Sequence, residues 1–322
     1  MEINPAEISV RGKVLKVPAV RINDITIIVT GRWLKTASIK DEFWLAGELV
    51  EDPEGIIANL KQQKLNADIF TFSQKLPKIE PKYKYHLEWN NVAAIPISGF
   101  ADWWENRLPQ ETRKNVRRAG RRGVVIKKVQ FDNALIEAIV DINNETPIRQ
   151  GRRFWHYGKS FDTVKRDYSA FLDRSEFWGA YAGTEMIGFI RLIYLGKTAN
   201  ILQILCKNKH FDKRPGNVLI AKAVEACAEK GISHLVYGQY VYGGNTKSPL
   251  TEFKRRNGFE QILIPTYYVP LTVKGRLFLK LRLHRGISRI IPKRLLSLLI
   301  ELRSKLYERK ATKREPTALS AE

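Results

Sequence analysis

The chain has 322 residues, of which 44% are hydrophobic and 10% aromatic. This composition excludes an intrinsically disordered chain and is sufficient for one large or two ordinary folded domains. The formal net charge of +22 favours a polyanionic partner such as RNA, anionic lipid or a phosphorylated donor, while a basic enzyme whose charge only aids solubility stays open.

The cysteine and histidine content excludes several kinds of site. Cys206 falls in a predicted strand and Cys227 on the apolar face of a predicted helix, so both are expected to be buried thiols. Neither a disulfide framework nor a metal site is predicted, because the cysteines are too few and the five histidines show no ligand spacing. The start of the chain shows no secretory signal and no apolar run reaches membrane-spanning length, which predicts a cytoplasmic protein.

The first 84 residues are predicted to form an α+β half-domain. The β-branched run Ile25–Thr30 indicates a buried strand, and residues 68–72 indicate another. Between them, Asp52 and Pro53 mark the start of a helix that runs to about residue 64. Residues 77–84, rich in proline and lysine, are the predicted linker to the next domain. No residue of this half-domain is assigned a chemical role.

Residues 108–128 carry a dense basic stripe on a predicted helix. Side chains four residues apart lie on one side of a helix, and here they form two adjacent rows: Arg113, Arg117 and Arg121, beside Lys114, Arg118 and Arg122. Two interpretations stay open, a solvated helix face and a surface that binds a phosphate-bearing substrate.

The loop at residues 144–158 follows the predicted helix at residues 133–144 and is rich in both polar and aromatic side chains. It is called the polar loop below. This mixture suits a polar substrate pocket with aromatic walls, and a structural loop with Trp155 buried is the alternative. The Glu145 carboxylate is the first candidate for a general base, with a helix-end hydrogen bond as its alternative role. The candidate substrate-binding residues are Arg149, Gln150, Arg152, Tyr157 and, from a later strand, Gln203.

A predicted hairpin at residues 175–194 leads to a strand at residues 199–206 and then to a basic loop. A helix follows the loop, with apolar residues at helical spacing until Gly231. Free N–H groups and the positive end of the helix dipole favour an anion at its start, typically a phosphate, and a helix-capping loop without a ligand is the alternative. The candidate donor-binding residues in this loop are Lys213, Arg214, Gly216 and Asn217.

Three motifs, in this order, carry a resemblance to a known superfamily. They are Arg113-Lys114-Asn115-Val116-Arg117-Arg118-Ala119 with Gly123, then Val236-Tyr237-Gly238, and last Glu252-Phe253-Lys254-Arg255-Arg256-Asn257-Gly258-Phe259. With the strand, loop and helix between them, they resemble the GNAT superfamily of N-acyltransferases over roughly residues 89–270. Within it, the chain looks most like the Fem-type aminoacyl transferases of peptidoglycan synthesis and the related FemAB-like proteins.

This resemblance implies an α+β (mixed α/β) fold of the GNAT type. It divides the chain into a reduced N-terminal half-domain at residues 1–84, a GNAT domain at residues 85–273 and a basic helical tail at residues 274–322. It also implies that Lys254, backed by Phe253, binds the donor ester and polarises its carbonyl, whereas an exposed helical lysine is the alternative. Tyr237, Tyr240 and Tyr242 are the candidate proton donors to the leaving group, although tyrosines at strand ends are often core residues.

The donor loop departs from the ordinary acetyl-CoA pattern. Pro215 removes an N–H donor, and no second glycine follows Gly216. Aminoacyl-tRNA and an acyl-carrier protein therefore stay open as donors beside acyl-CoA. The donor is a co-substrate, and no tightly bound cofactor is predicted. The predicted partners are this donor, an amine-bearing acceptor, tRNA, and an anionic membrane surface.

The membrane prediction rests on the tail. Leu295, Leu298, Leu299, Leu302 and Leu306 form a helical stripe behind Pro292, flanked by many basic residues. Such a helix can lie on an anionic membrane, which would place the protein at the inner face, or pack on the domain, and both stay open. The residues from about 311 onwards are polar and predicted to be disordered.

The sequence therefore predicts an acyltransferase that moves an acyl or aminoacyl group from an activated donor to an amine, with a role in cell-envelope precursor or polysaccharide metabolism. The competing prediction is a non-catalytic GNAT-fold module that holds RNA or anionic membrane through its basic faces.

Overall fold

The computed structural model describes residues 4–10, 13–22, 25–42, 50–63, 65–149 and 151–285. The N-terminal half contains β1 (Asn4–Val10), β2 (Lys13–Ile22), β3 (Ile25–Thr30), β4 (Thr36–Ile39), α1 (Pro53–Gln62) and β5 (Ile69–Ser73). The next stretch contains β6 (His86–Pro96), α2 (Phe100–Asp102), a π-helical turn (Trp103–Arg107), α3 (Gln110–Arg121), β7 (Val124–Val129), α4 (Asn133–Asn144), β8 (Ile148–Arg149), β9 (Arg152–Arg153) and α5 (Phe161–Tyr168).

The remaining elements complete the sheet. They are β10 (Ser175–Ala182), β11 (Glu185–Leu195), β12 (Thr198–Cys206), a 3₁₀ helix (Asn208–Lys213), α6 (Pro215–Glu229), β13 (His234–Val236), α7 (Pro249–Arg256), β14 (Glu260–Pro270), α8 (Val273–Lys280) and a short 3₁₀ turn (Leu283–Arg285). The α+β fold class predicted from the sequence is confirmed.

Twelve strands form one mixed sheet in the order β1-β2-β3-β4-β5-β14-β6-β13-β12-β11-β10-β7, and β8 pairs with β9 separately. Two neighbouring pairs are parallel, β4 with β5 and β12 with β13, and each is connected by a helix. The late strand β14 pairs with β5 on one side and β6 on the other, so it joins the two halves into a continuous sheet.

Helices cover both faces of the second half of the sheet. One core cluster lies between the sheet and α3 and α6, and it includes Leu219, Val224 and Ile201. On the other face, α4 and α5 bury Ile136, Ile139 and Val164 against β10 and β11. Strand β12 therefore presents Ile204 and Cys206 to the α6 side, and Leu205 to the α4 side.

Most predicted elements lie where the sequence patterns placed them. Asp52 caps α1 through a 2.9 Å bond from Gly55 N, as the acidic cap predicted. Residues 77–84 connect β5 to β6 and are held to the sheet, since Lys82 N donates to the Tyr267 hydroxyl at 2.9 Å. The division into domains at residues 84 and 273 stays a prediction, because β14 spans both halves.

The first part of the predicted tail packs on the sheet. Helix α8 buries Gly275 and Leu279, and Lys274 forms an ion pair with Asp68 at 3.1 Å. The leucine stripe and the basic residues after 285 lie outside the described residues.

Candidate functional site

Strands β12 and β13 run together for only three residue pairs and then separate. The parallel pairing ends at Asn200 with Val236. Beyond that point the chain follows β6 instead, since Tyr237 N donates to Ala93 O and Ala93 N donates to Gly238 O, both at 2.8 Å. A gap therefore opens beside residues 201–206 of β12.

The edge of β12 that borders this gap carries backbone N–H groups. Lys207 N donates to Ile187 O of β11, and hydrogen-bonding direction alternates along an antiparallel strand, so the N–H groups of Ile204 and Cys206 point to the opposite edge. A β-bulge precedes them. Arg191 and Leu192 are adjacent on β11, but their partners on β12, Gln203 and Ile201, are two residues apart, so β12 has one extra residue there. The bulge shifts the strand and increases its local twist where the gap begins.

Helix α6 begins at the same end of the gap. Its N-terminus follows Arg214, which has a left-handed backbone (φ 57°) and provides no side-chain cap. The side chains of Lys213 and Arg214 and the Gly216 N–H make no hydrogen bond or ion pair with any described residue. The predicted donor residues therefore surround a helix start whose positive end is uncompensated. Asn217 is the exception, because its amide donates to Asn257 Oδ1 at 2.9 Å.

Helix α7 packs against this end of α6 and carries Lys254. Phe253 lies next to Gly216, where an added Cβ would be 3.4 Å from the ring. The next residue, Lys254, is completely buried, so the alternative of an exposed helical lysine is wrong. Its Nζ donates to Gln239 O at 2.6 Å, and no carboxylate of the described residues is within ion-pair distance. Burial lowers the pKa of Lys254 to about 8.

Two tyrosines enclose the Lys254 ammonium. Its Nζ lies 4.5 Å from the centre of the Tyr237 ring and 4.8 Å from that of Tyr242, both within cation–π range. Burial raises the pKa of Tyr237, and its hydroxyl makes no hydrogen bond with the described residues. Tyr242 is 46% exposed and forms the outer wall. The sequence singled out Tyr242 as a candidate proton donor, and its contact with Lys254 was not predicted.

The residues predicted on the polar loop reach the far end of β12. Arg149 Nη1 donates to Cys206 O at 2.9 Å and Nη2 to Ile142 O at 3.0 Å. Glu145 accepts from the backbone of Asn208 at 2.6 Å and Lys209 at 2.9 Å, so it caps the 3₁₀ helix before α6. The geometry favours the helix-end role of Glu145 over the general base, because its oxygens are already occupied by these donors.

A histidine that the sequence did not single out lies beside Gln203. His156 Nε2 is 3.3 Å from Gln203 Nε2, on the α4 face of β12. Burial lowers the pKa of His156 to about 4, so its imidazole is neutral at pH 7. Its Nδ1 is buried and makes no hydrogen bond with the described chain. No sequence pattern separates His156 from the other histidines, and its role is suggested only by its contact with Gln203 in the folded chain.

Two aromatic side chains of the polar loop are open to solvent. Tyr157 is 46% exposed and Trp155 is 59% exposed, so the alternative with Trp155 buried is wrong. The side chain of Arg152 and all of Gln150 lie outside what the structure describes, and their substrate-binding role stays a prediction.

Neither cysteine is a candidate nucleophile. Cys206 and Cys227 are buried, as predicted, and burial raises the pKa of both thiols to about 12. Because the thiolate is the reactive form, direct attack of an amine on the donor fits this gap better than an acyl-cysteine intermediate.

Comparison with family models gives one match. Residues 110–255, slightly less than half of the chain, match the model described as "Acetyltransferase (GNAT) domain". The matched segment includes α3, the gap, the start of α6 and Lys254. The resemblance to the GNAT superfamily seen in the sequence is therefore confirmed over residues 110–255. A comparison with curated protein sequences gave no match.

Solved structures extend the similarity over most of the chain. A crystal structure of FemX has a TM-score of 0.56 at 12% identity, covering 86% of this chain and 89% of that one. The C-terminal domain of a putative lysylphosphatidylglycerol synthetase from Agrobacterium fabrum has a TM-score of 0.54 at 12% identity, covering 82% and 87%. An L-PGS from Bacillus licheniformis has a TM-score of 0.50 at 13% identity, covering 85% and 89%. At these identities the similarity shows the shared fold.

Among the helices that the structure describes, none combines the length and apolar character needed to cross a bilayer.

Proposed function

We propose that this chain, whose residues 110–255 form a GNAT domain, transfers an aminoacyl or other acyl group to an amine in the gap between β12 and β13. The observation that carries the proposal is Lys254, a fully buried lysine without an acidic partner beside that gap. A buried ammonium costs free energy, and a developing oxyanion would offset that cost.

The reaction needs positive charge and hydrogen-bond donors where the carbonyl oxygen becomes negative. The N–H groups of Ile204 and Cys206 provide donors on one side of the gap. Lys254 provides a charge on the other side, in surroundings of low polarity where its interaction is stronger than in water. Gln239 O accepts a hydrogen bond from one of the three N–H groups of Lys254.

The donor's phosphate groups would lie at the start of α6. Lys213, Arg214 and the Gly216 N–H are available there, and α3 brings further basic residues close, because Arg122 forms an ion pair with Asp212 at 3.3 Å. Lys114, Arg117 and Arg121 are exposed on the same helix. A basic surface that extends beyond a single phosphate site supports aminoacyl-tRNA or a carrier protein as the donor over a small thioester.

The acceptor amine would approach from the α4 face, where Gln203 and neutral His156 meet. The amine nitrogen attacks the donor carbonyl carbon, and the bond to the leaving sulfur or ribose oxygen breaks. Burial keeps Tyr237 protonated, so its hydroxyl can donate a proton to the leaving atom and recover one from the amine. His156 and Gln203 orient the amine; the pKa of about 4 makes His156 a weak base.

The decisive test is Lys254→Met, which keeps the apolar stem and removes the charge. Purified protein is mixed with thioester and aminoacyl-tRNA donors and an amine, and release of the acyl group is followed. The expected fall in kcat is about a hundredfold or more, similar to removal of one oxyanion donor. Lys254→Arg should recover only part of the activity, because the planar guanidinium places its charge differently.

The matched control is Lys222→Met, on α6, where the lysine pairs with Glu225 at 2.7 Å. This variant should keep full activity. Equal activity in Lys254→Met would contradict the proposal. Absence of turnover with every donor, together with tight and salt-sensitive RNA binding, would instead support the non-catalytic module.

Contact of the tail with anionic membrane remains part of the proposal and rests on the sequence. The chain ending at Arg285 keeps α8 and its ion pair with Asp68, so it is the suitable truncation. Full-length protein should sediment with anionic vesicles at low salt and the truncated chain should not.

A further inference from the structure

Two histidines and a glutamate from distant parts of the sequence meet beside the first residues of β6. His86 and Glu88 are two residues apart on β6, so their side chains lie on the same face. His284 comes from the 3₁₀ turn that follows α8. One ligand atom from each of the three residues lies within 4.8 Å of the others.

The distances in this cluster resemble those between ligands of one metal ion. His284 Nε2 is 2.6 Å and His86 Nε2 is 3.7 Å from the same Glu88 oxygen, Oε1. A tetrahedral ion with bonds of about 2.0–2.1 Å places its ligand atoms about 3.3 Å apart. Small rotations, above all of the half-exposed His86, would equalise the distances around an ion.

The His284 ring is fixed before any ion binds. Its side chain is only 3% exposed, and its ring centre lies 4.8 Å from that of Tyr268 and 5.6 Å from that of His86. Its Nδ1 is buried and makes no hydrogen bond with the described chain, so Nε2 is its single polar contact and points into the cluster. The fixed ring therefore presents Nε2 to the cluster.

We propose that His86, Glu88 and His284 bind a divalent transition metal of the zinc class, which fastens the turn after α8 to the start of β6. Two imidazoles and one carboxylate are a ligand set that zinc accepts, with water in the fourth position. An ion at Nε2 would take the place of the hydrogen bond from His284 to Glu88, and the imidazole proton would move to Nδ1.

This metal site is separate from the acyl-transfer gap. His86 precedes Ala94, which pairs with Val236 at the gap, by eight residues, or about 26 Å of strand. The ion therefore acts on structure: it holds the last described turn, from which residues 286–322 continue.

Arg285 opposes the ion. Its Nε donates to the same Glu88 oxygen at 2.7 Å, and its charge lowers the affinity for a cation. Glu88 Oε2 accepts no hydrogen bond from the described residues, so Arg285 can pair with Oε2 while the ion binds Oε1. Arg285→Gln should therefore bind the metal more tightly than the wild type.

The experiment uses the full-length chain freed of metal with a chelator and titrated with Zn²⁺ against a chromophoric competitor. One equivalent should bind to the wild type. Glu88→Gln and His86→Ala should each lower the affinity at least about a hundredfold, since loss of an outer partner alone costs 10–100-fold. Bound Co²⁺ should give the visible absorption band that is typical of a cobalt ion with four ligands. This band should be absent in both variants.

The matched control is His210→Ala. His210 also contacts a carboxylate, Glu185, at 3.1 Å, without a second histidine. This variant should keep the site. Failure of the wild type to bind one equivalent, or unchanged binding in both His86→Ala and Glu88→Gln, would overturn the proposal.

Discussion

The sheet contains the same local arrangement twice. The copy whose helix start has a side-chain cap is called the closed unit, and the copy whose helix start has none is called the open unit. In the N-terminal half, β4, α1 and β5 form a parallel strand–helix–strand unit; in the C-terminal half, β12, α6 and β13 form another. Each unit pairs its strands over three residues, and each is followed by an antiparallel neighbour, β14 or β6. The backbone arrangement alone therefore does not make a functional site.

The difference lies in which polar groups are already satisfied. The α1 N-terminus is capped by the Asp52 carboxylate, whereas Arg214 leaves the α6 N-terminus without a side-chain cap. Next to β5, the partly buried Glu42 carboxylate accepts the Ser73 N–H and faces Lys75. Next to β13, buried Lys254 has no acidic partner among the described residues. In the first unit, side chains of the unit and its neighbours pair with the helix start and with the partly buried charge. In the second unit, positive charge and N–H donors remain unpaired among the described residues and could bind an anionic ligand.

Among the changes that compare the two units, converting the open unit towards the closed one should have the largest effect. Arg214→Asp gives α6 an acidic cap like that of α1 and repels phosphate. Aspartate tolerates the left-handed backbone, so folding should be preserved. The donor KM should rise about tenfold to a hundredfold, since charged hydrogen bonds contribute about 1.5–3 kcal/mol.

Arg214→Asn is the control for that change, because asparagine has the same shape and also tolerates this backbone. It should raise the donor KM clearly less than aspartate does. If both variants keep the wild-type KM, the start of α6 does not hold the donor.

The buried lysine should also be visible in the dependence of stability on pH. Burial lowers the Lys254 pKa from 10.5 to about 8, so between pH 8 and 10.5 the unfolded chain binds a proton that the folded chain has released. Wild-type stability relative to Lys254→Met should therefore rise with pH in this window, by up to about 1.4 kcal/mol per pH unit. Below pH 8 the wild type carries the full cost of the buried charge.

This dependence is measured by urea unfolding of both proteins at several pH values. A constant difference from pH 7 to 10.5 would mean that Lys254 keeps an ordinary pKa. In the active enzyme, the same titration predicts a fall in kcat above about pH 8, which Lys254→Arg should not show.

The smallest effect is expected in the closed unit. Asp52→Ala removes the α1 cap and should lower the free energy of unfolding by about 1 kcal/mol. Donor KM and kcat should stay unchanged, because this unit is not part of the gap. Asp52→Asn, which can still cap the helix, should recover most of the stability. A change in donor KM in Asp52→Ala would contradict the separation of the two units.

The sequence by itself determined the local elements and the family of the domain. Helical spacing, Asp52 before Pro53, and β-branched runs define α1, α6 and several strands, because caps and periodicity act within a few residues. The motif around Lys254 indicated the GNAT resemblance, which the family match confirms.

Only the tertiary structure decided how the side chains are used. Lys254 has the local sequence of an exposed helical lysine, and its burial arises because Tyr237 and Tyr242 close over it. Glu145 became a cap once β12 and the next 3₁₀ helix were packed beside it. His156 meets Gln203, and His284 meets Glu88, through contacts between distant segments. Sequence periodicity reports which face of an element is apolar; which polar groups remain unpaired depends on the neighbours that the complete fold supplies.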